Sequence, residues 1–156
     1  MVVITMRSKV IKYSIIINLL LIFVVWMIIT NITIETTYYN VYSDNLPTSF
    51  DGYRIAQVSD LHNMEFGSNN SRLIKALKKS NPNIIVITGD LIDSNNHNVS
   101  VSLDFAKKAM NIADCYYVTG NHEGKVSSSI YNELEEGLIS LGVTLLHDCE
   151  EILEYN

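Results

Sequence analysis

The sequence contains no Lys/Arg-rich stripe and no basic patch interleaved with aromatics, so the electrostatic footprint of a nucleic-acid binder is missing. Beyond residue 34, eight basic residues stand against all seventeen acidic ones, a formal charge of −9. That part has no general attraction for nucleic acid or for an anionic surface. Cysteine is scarce: Cys115 and Cys149 lie far apart and outside any C-x-x-C arrangement, and a disulfide between them is not indicated. There is no internal repeat and no low-complexity tract. Charge is absent altogether from Tyr13 to Ile34, YSIIINLLLIFVVWMIITNITI.

Twenty-two helical residues span about 33 Å, against a bilayer hydrocarbon core of about 30 Å. A buried core helix of this length would show a polar face, and this run shows none. Arg7, Lys9 and Lys12 precede it and Glu35 follows, an asymmetry that places the N-terminus in the cytoplasm and the rest on the far side. Two features favour an uncleaved anchor over a cleaved signal peptide: the length of the apolar run, and an exit (TNITIETT) without an A-x-A-like site. The expected organisation is a basic cytoplasmic stretch at 1–12, a membrane-spanning signal anchor at 13–34, and a domain at 35–156 in the extracytoplasmic space. Sequons at Asn31, Asn69 and Asn98 matter only in an organism that glycosylates.

After the anchor, Glu35 to Asn45 is rich in Thr, Tyr and Val and reads as a first extended strand. Arg54 to Ser59 reads as a strand ending at Asp60, and Ser71 to Lys79 as a short helix halted at Asn81-Pro82. Ile84 to Thr88 is an apolar run without alternation, as in a strand covered on both faces. A helix from about Ser100 to Ala113, with Leu103, Ala106 and Met110 in its stripe, leads to a strand at Cys115–Thr119. A helix from about Ser128 to Ser140 leads to a strand at Val143–Leu146, and Ile152–Tyr155 reads as the start of another. The series is βαβαβαβ, for which parallel pairing with right-handed crossovers is expected.

The informative residues stand just past three successive strands: Ser59-Asp60-Leu61-His62-Asn63, Thr88-Gly89-Asp90-Leu91-Ile92-Asp93 and Thr119-Gly120-Asn121-His122-Glu123. Asp60 to Asp90 is 30 residues and Asp90 to Asn121 is 31, each one strand-plus-helix unit. In a parallel sheet these ends share one edge, where ligands bind in open α/β folds. Asp60 and His62 offer oxygen and imidazole nitrogen to one metal, Asp90 has two oxygens with which to bridge a pair, and Asn121 offers a neutral carbonyl oxygen. Gly89 and Gly120 remove side chains where the backbone turns next to the site. His122 is placed to protonate a leaving oxygen or to stabilise phosphoryl charge. Asp93 is placed to hold the His122 imidazole in one tautomer.

The strings SDLH, TGDLID and TGNHE resemble the first three motifs of the calcineurin-like metallophosphoesterases, D-x-H, G-D-x-x-D and G-N-H-E/D. The run LPTSFDGYRIAQVSDLHN after an anchor is similar to the bacterial membrane-anchored phosphodiesterase-like branch. The resemblance implies half of an αββα sandwich and hydrolysis of phosphomonoesters or phosphodiesters, with a small-molecule or lipid-linked phosphoester as substrate. It implies two divalent or transition-metal ions (Mn, Fe or Zn). Asp60, His62 and Asp90 would hold the first and Asp90 and Asn121 the second, with His122 at the scissile phosphate, supported by Asp93. The family's later histidines, a single one and a G-H-x-H pair, have no counterpart in residues 124–156. His147 there, like His97 in its polar loop, reads as structural or solvent-exposed. The expectation is therefore a truncated domain lacking its C-terminal histidine ligands and of negligible activity by itself. The alternatives are an inactive membrane-tethered module or a non-functional fragment.

Overall fold

A computed structural model of the chain describes residues 3–155. It divides into two compact units, Met1–Glu35 and Thr36–Asn156. The first is one helix, α1 (Val3–Ile32). Met1 and Val2 of the expected basic stretch lie outside the described residues, and from Val3 onward that stretch is helical. Its polar side chains fold back on the helix. Asn18 Nδ2 donates to Ser14 O at 2.8 Å, Thr30 Oγ1 to Met27 O at 2.9 Å, and Asn31 Nδ2 to Met27 O at 2.8 Å. Polar groups satisfied within the helix remove the main cost of facing hydrocarbon. Among the described residues, Ser8–Ile32 is the one segment long and apolar enough to cross a membrane, with mean hydropathy 2.6.

The second unit is built on four strands: β1 (Ile55–Val58), β2 (Ile84–Thr88), β3 (Asp114–Val118) and β4 (Thr144–Leu145). They pair in parallel in the spatial order β1-β2-β3-β4. Ile55 lies opposite Ile84, Ile85 opposite Cys115, and Tyr117 opposite Leu145. Consecutive strands are joined through α2 (Ser71–Ser80), α3 (Val99–Met110) and α4 (Ser128–Ser140). The result is the α/β arrangement expected of half a metallophosphoesterase domain.

Local chemistry sets the helix ends. Helix α2 stops at Asn81, whose left-handed φ of 48° precedes Pro82. Helix α3 starts at Asn98, whose side-chain oxygen accepts from Ser100 N at 3.1 Å. Its buried stripe is Val99, Ser102, Phe105, Ala106 and Ala109, with Leu103 and Met110 half-buried beside it. Phe105 takes the centre of that face, and the expected Leu103 and Met110 pack against the core along its margin. Helix α4 buries Leu134 and Leu138. The core between sheet and helices joins Ile85, Ile87, Leu91, Ile92, Phe105, Tyr117, Leu134 and Leu138.

Two expected strands are not formed. Residues 35–45 and 152–155 have no sheet partner among the described residues. Their Thr, Tyr and Val content favours extended backbone, but a strand requires a neighbouring ladder. Both cysteines are free, Cys115 buried and Cys149 exposed.

Candidate metal centre

The three loops after β1, β2 and β3 meet at one edge of the sheet. Asp60 (φ 57°), His62 (φ 47°) and Asp90 (φ 52°) all take the left-handed conformation just past their strands, which turns each chain sharply at the edge. Backbone bonds lock the first two loops together: Asp60 N donates to Gly89 O at 3.3 Å, His62 N to Asp90 O at 2.9 Å, and Asn63 N to Leu91 O at 3.0 Å. The loops after β2 and β3 approach even more closely. A Cβ on Gly89 would lie 2.4 Å from Gly120 Cα, and one on Gly120 would lie 2.3 Å from Asp90 Oδ1. Only glycine fits either position.

Asp60, His62 and Asp90 thereby converge, each offering a ligand atom within 4.8 Å of the others. His62 Nε2 is 3.6 Å from Asp60 Oδ1 and 3.9 Å from Asp90 Oδ2. These separations are too long for hydrogen bonds. Yet two atoms each about 2.1 Å from one ion lie at most about 4.2 Å apart, so both His62–carboxylate separations suit a shared cation. Asn121 adjoins the carboxylate of Asp90. One terminal atom of its amide lies 2.7 Å from Asp90 Oδ2 and 3.2 Å from Oδ1, and the other lies 3.0 Å from Lys125 Nζ. With nitrogen toward Asp90 the amide donates to the carboxylate and accepts from Lys125. The residues present therefore fit a divalent metal.

His122 stands beside this cluster, its ring 4.3 Å from that of His62 in an edge-on arrangement. Its backbone N donates to Asp90 Oδ1 at 2.8 Å, which fixes one oxygen of the central carboxylate. Ser94 N donates to His122 Nδ1 at 3.1 Å. A lone pair on Nδ1 requires a neutral ring to carry its proton on Nε2. Ser94, rather than Asp93, thus makes the hydrogen bond that selects the tautomer. Asp93 instead lies with Oδ2 3.9 Å from His62 Nδ1, and it groups with His62 and His122 within ligand range. The Asn95 backbone N–H donates to Asp93 Oδ1 at 2.6 Å. Together with both imidazoles it holds that carboxyl below its ordinary value, against an opposing effect of desolvation.

Glu123 has a part that its position in the sequence does not announce. It is 1 % exposed. Oε2 accepts from Asp90 N at 2.9 Å and Gly120 N at 3.0 Å, and Oε1 accepts from Ile92 N at 3.2 Å. One side chain thus ties the β2 and β3 loops together behind the ligands. Asn63 and Ser102 do the same between β1, β2 and α3. Asn63 donates to Asn96 O, while Ser102 Oγ donates toward Asn63 Oδ1 at 3.1 Å and Leu91 O at 3.0 Å. The remaining histidines stand apart from the cluster. His97 contacts Ser94 O from an exposed loop, and half-exposed His147 pairs with Glu135 at 3.0 Å.

The fold and site define an α/β protein whose parallel sheet carries Asp, His and Asn, residue types suited to a divalent metal, at three adjacent strand ends. The sequence profile of the calcineurin-like phosphoesterase family matches residues 53–153, and the chain belongs to that family. It is 32 % identical over 108 residues to an uncharacterized metallophosphoesterase, YkuE, of Bacillus subtilis (strain 168). That match covers 65 % of this chain and 37 % of the relative. It is also 30 % identical over 111 residues to a transmembrane protein with metallophosphoesterase domain of Danio rerio, covering 67 % of this chain and 24 % of that protein. The chain thus spans well under half the length of either relative.

Proposed function

We propose that the chain is a membrane-anchored component of a metal-dependent phosphoester hydrolase, with its metal-holding residues at 60–122. Asp60, His62 and Asp90 hold one ion, and Asp90 with Asn121 contributes to a second. The ions, Mn, Fe or Zn, would supply Lewis-acid stabilisation of charge developing on the phosphoryl group. The chain's own contribution is orientation and proton placement. His122, kept as the Nε2–H tautomer by Ser94 N, presents a proton donor to a phosphoryl or leaving oxygen. Asp93, whose carboxyl stays ionised, supports the imidazole pair. The Glu123 and Asn63 tethers hold the three loops in register.

The substrate reading is a small-molecule or lipid-linked phosphoester. The anchor reading follows from the length match: the uncharged helical portion Tyr13–Ile32 covers about 30 Å, the thickness of the hydrocarbon core. Arg7, Lys9 and Lys12 orient it with the N-terminus cytoplasmic and residues 35–156 on the opposite side.

The observation that carries this function is the convergence of Asp60, His62 and Asp90 at separations that suit one ion better than direct hydrogen bonds. Titration of the detergent-solubilised chain with Mn²⁺, followed by calorimetry and electron paramagnetic resonance, should show saturable uptake. Asp90→Asn should abolish that uptake with the circular dichroism spectrum unchanged. Hydrolysis of p-nitrophenyl phosphate or its bis ester, wherever it is detected, should follow metal content. A folded chain that takes up no Mn, Fe or Zn, or one that hydrolyses these esters equally well in chelator, rules the reading out.

A further inference from the structure

We propose that residues 36–42, the stretch just past helix α1, lie along the headgroup layer of the bilayer as a tyrosine-bearing collar. The stretch reads Thr-Thr-Tyr-Tyr-Asn-Val-Tyr and contains no charged residue. Tyr38 is 69 % exposed, Tyr39 84 %, Val41 84 % and Tyr42 89 %. Among the described residues none of these four makes a hydrogen bond or ring contact. Tyrosines further along the chain behave differently: Tyr53, Tyr116 and Tyr131 are half-buried, and Tyr117 is buried. Single exposed aromatics are ordinary on a soluble surface, but four large exposed side chains within five positions of chain are a local concentration that asks for a partner.

Continuity with the helix identifies that partner. The uncharged helix fills the hydrocarbon and ends at Ile32, so the chain leaves the core at about residue 33. The headgroup layer beyond is only about 5–7 Å deep on each side. Run straight outward, the seven residues from Ile32 to Tyr39 would travel about 24 Å and carry the phenols into bulk water. Laid in the plane of the interface, they keep ring bodies among acyl ends and hydroxyls among headgroups, the environment in which tyrosine is enriched. The lack of charge in the stretch, with Glu35 and Asp44 flanking it, makes this aromatic and not ionic recognition. Anionic lipid therefore adds nothing.

The proposal rests on α1 spanning the bilayer, and depth-resolved fluorescence quenching separates the two. The full chain is reconstituted in phosphatidylcholine vesicles containing nitroxide lipids of graded depth, in two forms. One is the natural chain, whose sole tryptophan is Trp26. The other carries Tyr39→Trp with Trp26→Phe. Trp26 should quench from deep nitroxides, about 6 Å from the midplane. The indole at position 39 should quench best from nitroxides near the headgroups, about 15–22 Å from the midplane, equally with and without phosphatidylglycerol. Trp26 quenched deep while position 39 resists every nitroxide overturns the collar and leaves the anchor standing. A Trp26 that no nitroxide reaches overturns both. Quenching at position 39 that appears only with phosphatidylglycerol overturns the aromatic basis of the contact.

Discussion

Replacing Glu123 by Gln preserves size and shape but exchanges one of two acceptor oxygens for a donor. Asp90 N, Gly120 N and Ile92 N all point at that carboxylate, so at least one buried N–H loses its partner. The expected cost is about 1–3 kcal/mol, read from urea unfolding, with weakened Mn²⁺ uptake because the Asp90 loop loosens. Asp60→Asn should instead lower Mn²⁺ affinity with little change in stability, since Asp60 is exposed and no backbone N–H depends on its side chain. At this scale the shared placement was legible, because each interval matches one strand-plus-helix unit: Asp60, His62, Asp90, Asn121 and His122 all reach one edge. The tethers were not. A glutamate in a polar loop is ordinarily solvated, and nothing in TGNHE reveals that three amides of two loops lack other acceptors. The role given to Asp93 shifted for a similar reason. Spacing shows which loop approaches His122 but not that a backbone N–H, from Ser94, reaches the ring nitrogen first.

Strand β3 carries a strongly perturbed thiol with a simple cause. Burial pushes the Cys115 thiol up to about 12, with Asp114 adding to the effect. In the unfolded chain a thiol ionises near pH 8.5. The folded-state value is the raised one, so the stability this group contributes is full below about pH 8.5 and is lost as pH climbs toward about 12. The melting temperature should fall across that window, and fall less in Cys115→Ala. Burial of Tyr117, raised in the same direction, leaves a residual slope. β2, β3 and α4 were legible almost to the residue, because apolar runs of strand length alternate with helix-period stripes and end at Gly, Asn or Pro. The segments 35–45 and 152–155 were misread because propensity describes a backbone in isolation, whereas a strand is a property of two chains side by side.

For the whole molecule, the two cysteines make a built-in reporter of topology. Cys149 is exposed and Cys115 buried, so a membrane-impermeant maleimide added to intact cells should label the folded chain at Cys149 alone. Labelling that appears only after permeabilisation reverses the orientation drawn from Arg7, Lys9 and Lys12. Deleting residues 1–35 should release the remainder from the membrane fraction, since that unit holds its own core. The order β1-β2-β3-β4 has one more consequence, for assembly. Among the described residues no strand inserts between two earlier ones, so the second unit, synthesised from its N-terminal end, can grow its sheet by adding each βα unit to one open edge. The ligands then arrive in the same sequence, Asp60 and His62, next Asp90, and last Asn121 with the clamp Glu123. The proposed Asp60, His62 and Asp90 trio is thus complete as soon as β2 has joined β1, and the arrival of β3 adds Asn121 and the Glu123 clamp behind it.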